Sequence, residues 1–334
     1  MQIRRFGDTD LHTSAIAFGT WALGSDWWGE HEDPDRLVAR ALELGISLFD
    51  TGDTYGQGAN EEIVGTALQR AGARRDSIQI ATKFGYVLDS ERQGHAEGER
   101  PHDWSAGRTR RALEASLRRL RTDYVDLYQL HNPRMDALER DELWETLEEL
   151  RKEGKLRHYG VALGPKIGWR DEGLRAIDER PIASLQTVYN LLEQEPGSEF
   201  LGAAESRGVG VIARVPTSSG LLEGHLTPTS SFTGNDHRRH RPREWLIDGL
   251  QKVDRLDFLL RGGRRTPAQA AMKWILAQPG IACVVHTVNT VAQLEEWAAA
   301  GGDEVPDLDA SELRRVDELY RAGFGLAAAT GASG

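Results

Sequence analysis

The sequence predicts an α/β fold, a (β/α)8 TIM barrel, on three observations. Short apolar runs alternate with amphipathic stretches eight times along the chain, as a parallel sheet with covering helices requires. Four segments carry the polar residues of one site: Phe49-Asp50-Thr51-Gly52-Asp53-Thr54-Tyr55, Ala81-Thr82-Lys83, Leu127-Tyr128-Gln129-Leu130-His131-Asn132 and Ser184-Leu185-Gln186. In three of them a β-prone run breaks off abruptly in polar groups, and strands that end this way hold their chemistry at the C-terminal mouth of a barrel. Length is the third observation. A chain of 334 residues accommodates one barrel of about 250 residues with insertions, or two ordinary domains. An open doubly wound sheet alternates in the same way, so the count alone leaves both open.

Taken in order, Ile3-Arg4-Arg5-Phe6, Asp8-Thr9-Asp10 and His12-Thr13 read as a β-hairpin that caps the N-terminal end. Strands are expected at Ala15–Gly19, Ser47–Asp50, Ile78–Lys83, Val125–His131, Tyr159–Leu163, Ser184–Tyr189, Val209–Val215 and Ile281–Val285. Helices are expected at Pro34–Leu44, Glu61–Arg70, Thr109–Leu120, Arg140–Glu153, Gly168–Glu179, Glu199–Arg207, Pro267–Gln278 and Val291–Ala300. Asn60 and Thr266 are the expected N-caps, the latter followed by Pro267 at the first helical position. Gly45, Gly154 and Gly208 stand where helices should stop. Asp309–Ala322 reads as an extra C-terminal helix. Long loops after strands three and seven, Gly85–Arg108 and Pro216–Pro242, fall on the mouth side and should wall it. The expected organisation is one domain over residues 1–323 with a loosely held tail at 324–334.

Composition narrows the function. With 52 acidic against 41 basic residues the net charge is −11, which argues against a nucleic-acid partner. The Arg-rich stretch Arg108–Arg121 carries Leu113, Leu117 and Leu120 at helical spacing and reads as a solvated helix face. Cys283 is the single cysteine and sits among Ile281, Ala282, Val284 and Val285, so it reads as a buried strand thiol in a reducing compartment. Met1-Gln2-Ile3-Arg4-Arg5 lacks the apolar run of a signal peptide. No stretch approaches the ~20 apolar residues of a membrane span. The expectation is a cytoplasmic protein without a membrane partner; the sequence does not fix its oligomeric state.

The strand-end residues suit proton transfer. A phenol has a pKa of about 10 and donates its proton near neutral pH only where its anion is stabilised. Lys83 is the candidate cation beside Tyr55, Asp50 would hold Lys83 in place and charged, and His131 would hydrogen-bond the same substrate oxygen. Such a site needs a hydride source, since neither an activated nucleophile nor a metal site is discernible.

On these motifs the chain resembles the aldo-keto reductases over nearly its whole length. The motifs are Asp50-Thr51-Gly52-Asp53-Thr54-Tyr55-Gly56 with Asn60-Glu61-Glu62, Ala81-Thr82-Lys83, Asp123 to His131, Leu117-Arg118-Arg119-Leu120, Gly154-Lys155-Leu156-Arg157 and Gln186 to Leu191. The resemblance implies a (β/α)8 barrel, a catalytic tetrad of Asp50, Tyr55, Lys83 and His131, and nicotinamide-dependent reduction of a carbonyl or the reverse alcohol oxidation. NADP(H) is the implied cofactor, with NAD(H) the second choice.

The resemblance also assigns a cofactor set. Gly19, Thr20, Trp21 and Asp50 lie at the nicotinamide end. Ala162 and Leu163 stand where the family places Ser-Asn, so Gln186 must hold more of the nicotinamide amide. Arg214 replaces a stacking aromatic and would lie on the ring or pair with substrate or phosphate. Thr217, Ser218, Ser219, Gly220 and Leu221 match the pyrophosphate loop, while Asn289, Gln293 and Glu296 fall at the adenine end. Trp297 stands where an Asn is usual, and the loop His286-Thr287-Val288-Asn289-Thr290 has no Arg or Lys for a 2′-phosphate.

Substrate candidates are Trp21, Trp28, Tyr86 and Asn132, with Trp27 and Trp104 nearby; His237, Arg238, His240 and Arg241 add polarity and favour a polar or sugar-like carbonyl. Gly208-Val209-Gly210 precedes a strand and so fails as a dinucleotide fingerprint. Asp236-His237-Arg238-Arg239-His240 lacks the partners of a metal site. Two other functions compete with the reductase: a cofactor-binding regulatory subunit resembling channel β-subunits, and a metal-dependent barrel hydrolase.

Overall fold

A computed structural model describes residues 1–24, 30–88, 100–164 and 169–326. Strands β3 (Ile16–Gly19), β4 (Leu48–Asp50), β5 (Gln79–Phe84), β6 (Val125–His131), β7 (Leu156–Ala162), β8 (Ser184–Val188), β9 (Gly210–Arg214) and β10 (Ile281–Thr287) follow β1 (Ile3–Arg5) and β2 (His12–Ser14). They close a barrel in the order β10-β3-β4-β5-β6-β7-β8-β9, every ladder parallel. Closure excludes the open sheet. The helices are α1 (Pro34–Glu43), α2 (Ala59–Arg70), α3 (Ala106–Leu120), α4 (Met135–Leu138), α5 (Asp141–Lys152), α6 (Arg170–Glu179), α7 (Gly197–Arg207), α8 (Arg243–Asp254), α9 (Pro267–Leu276), α10 (Val291–Ala300) and α11 (Ala310–Arg321).

Period-two alternation sorts each strand. One set, Ala17, Leu48, Ala81, Leu127, Ile212 and Cys283, fills the barrel interior; the other, including Phe18, Phe49, Ile80, Tyr128 and Leu185, packs between sheet and helices. The hairpin pairs Ile3 with Ser14 and Arg5 with His12. Its Phe6 and Leu11 are buried with the interior set and plug the N-terminal end. Burying each contributes about 1.5–3 kcal/mol. Cys283 belongs to this plug layer, where burial pushes its thiol up to about 12.

Thr266 caps α9 through a reciprocal capping box with Gln269, as its sequence position predicts. Asn60 does not cap. Helix α2 starts two residues earlier, at Ala59 after Gly58 at φ 94°, because the Asn60 amide is drawn across to donate to the Thr20 and Trp21 carbonyls at 2.8 and 3.4 Å. Helices α4 and α8 are additions to the expected set. The segment 216–242 contains helical turns at Leu221–Glu223 and His237–His240. Among the described residues no helix is long and apolar enough to cross a membrane. Trp27 and Trp28, residues 89–99 of the loop after β5, and residues 327–334 of the expected tail lie outside the described residues.

Candidate active site

Interior positions at the C-terminal ends of β4, β5, β6 and β8 converge. The β5–β6 register sets Lys83 opposite Gln129, and β6–β7 sets His131 opposite Ala162 and Gln129 opposite Gly160. These small β7 residues leave room for the larger side chains. At Gly160 a Cβ would meet Ser184 Oγ at 1.9 Å, so the glycine is sterically required.

Lys83 Nζ donates to Asp50 Oδ1 at 2.5 Å and to the Thr51 carbonyl at 2.7 Å, with both side chains buried. Asp50 Oδ2 accepts from Gln186 at 2.9 Å and Gln129 at 3.3 Å. The carboxylate therefore faces one cation and two amide donors, which compensates its desolvation. Burial works against the Lys83 charge, but Asp50 and Tyr55 offset it and leave the ammonium pKa raised. Nζ stands 4.9 Å from the Tyr55 ring centroid. His131 meets Tyr55 edge-on at 5.8 Å, and its Nδ1 lies 3.3 Å from Thr54 Oγ1. Burial first, then the charges of Lys83, Arg214 and His102, holds the His131 pKa well below the usual imidazole value. A neutral imidazole can pass or share a proton with an oxygen, and adds no second charge beside Lys83.

The expected tetrad is thus brought together, and further residues support it that sequence reasoning passed over. Gln129 is a polar residue two positions before His131 in a largely apolar strand; alternation places it on the same interior face, and that signal was available. His102 was not legible. It comes from the loop after β5, stacks on Tyr86 at 4.1 Å and on Trp104 at 4.9 Å, and donates through Nε2 to the His131 carbonyl at 3.0 Å. Gly85, at φ 128°, lets this layer close, since a Cβ there would meet the Trp104 ring at 2.1 Å.

Around the mouth, Trp21 lies 6.5 Å from Tyr55 and 5.7 Å from His237, so the insertion after β9 reaches the β3 end. Asn132, at φ 52°, donates to the Tyr86 hydroxyl at 2.7 Å. Thr20 ties its amide and hydroxyl to the Asp50 carbonyl, each at 3.0 Å. At Gly19 a Cβ would meet the His286 carbonyl at 2.6 Å.

Toward the expected cofactor end, Arg214 is directed at the Leu163 carbonyl, Nη2 to O 3.0 Å. Burial lowers its pKa, while Tyr55, Asp50 and Glu193 pull it back up. Beyond it the chain takes up left-handed conformations at Val215 (φ 58°), Ser218 (49°), Ser219 (57°) and Gly220 (93°). A left-handed β-branched residue is a genuine outlier, and such strain gathers at functional sites. The amides of Ser218, Gly220, Leu221 and Leu222 close the turn; those of Thr217 and Ser219 make no backbone hydrogen bond. Two amide donors in a tight turn at the strand ends fit a phosphate, and Leu221 anchors the turn in the core.

The three adenine-end candidates occupy other contacts. Asn289 donates to the Glu30 carbonyl at 3.1 Å. Gln293 closes the capping box of α10 with Thr290, and Glu296 accepts from the Thr266 hydroxyl at 2.5 Å. Trp297 is buried and stacks on His286 at 3.7 Å.

The model of the Aldo/keto reductase family matches residues 15–321. A curated relative, "Aldo-keto reductase YhdN" of Bacillus subtilis, is 32% identical over 328 residues, covering 95% of this chain and 94% of its own. Aldo-keto reductase AKR11C1 from Bacillus halodurans, holo form, superposes with a TM-score of 0.76 at 30% identity, covering 96% of each chain. The glycerol dehydrogenase AKR11B4 from Gluconobacter oxydans does so with a TM-score of 0.81 at 27% identity, over 99% of each.

Proposed function

The chain belongs to the aldo/keto reductase family, and from that premise we propose that it reduces a small hydroxylated aldehyde or ketone, or runs the reverse oxidation, with Tyr55 as the proton donor. As a family member it is an NAD(P)H-dependent oxidoreductase. The observation that carries the finer reading is the buried Lys83–Asp50 pair beside Tyr55 and His131.

A reduced nicotinamide supplies the hydride for the carbonyl carbon. As that bond forms, the C=O π pair moves onto oxygen, which takes the Tyr55 proton. Lys83 stabilises the phenolate left behind, and Asp50 keeps Lys83 oriented and charged. His131, neutral by burial, holds the same oxygen by a hydrogen bond and aligns it with Tyr55. Gln186 would hold the nicotinamide amide in place of the absent Ser-Asn pair, with Arg214 against the ring, the substrate or a phosphate. Thr217 and Ser219 offer amides to the pyrophosphate. Residues 1–323 act as one catalytic domain, and the single buried thiol suits the cytoplasm.

Tyr86 with Asn132, and His237 beside Trp21, give the mouth hydroxyl, amide and imidazole groups next to aromatic faces. That mixture supports a substrate with hydroxyls near its carbonyl. The similar structure named a glycerol dehydrogenase agrees with this class.

Because Lys83 performs the polarising role, the purified protein is expected to reduce a generic aromatic aldehyde without added metal. Activity abolished by EDTA and restored by zinc would contradict it; steady turnover also separates an enzyme from a regulatory subunit.

For the cofactor we propose that NADP(H) and NAD(H) both serve, with dissociation constants within about tenfold of each other, since the 286–290 loop offers no Arg or Lys to a 2′-phosphate. Asn289→Arg should raise the NADPH-to-NADH affinity ratio roughly tenfold to a hundredfold, the size of one charge-assisted hydrogen bond. Fluorescence titration of wild type and variant with both cofactors measures it. An unchanged ratio would remove this loop from the adenine ribose.

A further inference from the structure

His286 faces outward from β10 toward α10, almost wholly buried beneath the turn at Thr217–Leu221. Its Nδ1 lies 3.0 Å from the Thr287 carbonyl. A carbonyl oxygen only accepts, so Nδ1 carries a proton. Nε2 lies 3.0 Å from Thr217 Oγ1, and the same Oγ1 lies 2.8 Å from Glu223 Oε1. The direct His286–Glu223 distance is 3.7 Å, so the hydroxyl bridges them.

A threonine hydroxyl has one proton. With a neutral imidazole and an ionised carboxylate, that proton reaches Nε2 or Glu223, and two lone pairs face each other across the contact left over. One added proton removes the conflict. On Nε2 it is donated to Thr217, which donates on to Glu223. On Glu223 it is donated to Thr217, which donates on to Nε2. Burial lowers the His286 pKa and leaves the number of protons required unchanged.

We propose that His286, Thr217 and Glu223 hold this shared proton, and that it positions the phosphate turn by keeping the charge beneath it at zero when the cofactor's pyrophosphate binds. The inference rests on the reading of Thr217–Leu221 as the phosphate turn. Without the proton the trio carries one partly buried negative charge under an anion site. Binding the pyrophosphate must then raise the trio's affinity for a proton, and by linkage the proton raises the affinity for cofactor.

Neighbouring charges do not supply the missing donor. Glu193 accepts from Asn190 and from Ser218, and Glu296 accepts from Thr266. Arg238 is paired with Asp236, and its Nη1 lies 3.4 Å from the Ser219 carbonyl. Arg214 is directed at Leu163. His225 stands 3.7 Å from the other Glu223 oxygen and is largely exposed, so its substitution serves as a control.

The test is the dissociation constant of NADH, whose pyrophosphate keeps its charge throughout, from about pH 6 to about pH 9. It is measured by fluorescence quenching in a Tyr55→Phe background, repeated with His225→Asn. The sign is fixed: the proton is present at low pH, so affinity falls as pH rises through the trio's pKa. The expected loss is at least about fivefold, the lower end of site–site coupling. Glu223→Gln supplies a carboxamide N–H to Thr217 that does not titrate, and should hold the low-pH affinity across the range. A merely structural Glu223 would give weaker binding at every pH. A flat wild-type profile, or a Glu223→Gln profile that follows wild type, overturns the proposal. Thr217→Val keeps the backbone amide and breaks the chain, so unchanged NADH binding in it overturns the proposal. Gly220→Val strains the left-handed backbone of the turn: weaker NADH binding in it with a flat wild-type profile sinks only the shared proton, and unchanged binding in it removes the phosphate turn itself, and the proposal with it.

Discussion

Tyr55→Phe is expected to lower kcat at least about 10²-fold, the scale of general-acid catalysis, with cofactor affinity little changed. Removing the hydroxyl takes away the proton that must reach the substrate oxygen as hydride arrives at carbon. The ring remains, so its edge contact with His131 and its place between Trp21 and Lys83 persist. His131 cannot substitute efficiently, because burial leaves it without a proton to spare near neutral pH. Steady-state kinetics with an aromatic aldehyde, alongside a cofactor titration, check this. A variant that retains most of its turnover would refute Tyr55 as the donor.

Lys83→Met should cost stability as well as rate. It leaves the Asp50 carboxylate buried with two glutamine donors and no cation. Breaking a buried ion pair from one side costs roughly 3–5 kcal/mol, and denaturant unfolding reads it directly. Turnover should also fall by at least about 10²-fold, since the phenolate loses its counter-charge. Adding Asp50→Asn removes the stranded charge, so the double variant should recover much of the stability and none of the activity. That split tests whether the pair is present for chemistry or for the fold. A single variant as stable as wild type, or a double variant no more stable than the single, would count against the geometry described here.

Much of this site could be read before folding because strands impose a period of two. Asp50, Lys83 and His131 each sit at the polar end of an apolar run and Gln186 lies within a fourth strand, so alternation and strand order predict that they share one mouth. Strand ends were legible to within a few residues, most closely at Val125–His131, where both boundaries agree. Helix caps were less uniform. Thr266 had Pro267 and Gln269 to support it locally, whereas Asn60 was drawn off by carbonyls of β3's end, forty residues away in sequence. A capping rule that sees only neighbours has no access to that competitor.

The same limit governs the adenine end. The resemblance puts Gln293 and Glu296 at the adenine end, yet Gln293 closes the cap of α10 and Glu296 accepts from the Thr266 hydroxyl. Caps compete for polar groups with any ligand, and only packing decides which partner is within reach. The contributions of His102, the left-handed run from Val215 to Gly220, and the His286–Thr217–Glu223 chain likewise depend on loops folding back over the strands.

By itself, then, the sequence determined the alternation of strands and helices and the polar ends of several strands, because both are short-range patterns; the resemblance to the aldo-keto reductases implied the barrel, the tetrad and the class of reaction. Tertiary structure alone decided which polar groups remain for the cofactor and how many protons they hold. Those depend on distances of about 3 Å between residues tens of positions apart, and no local pattern records them.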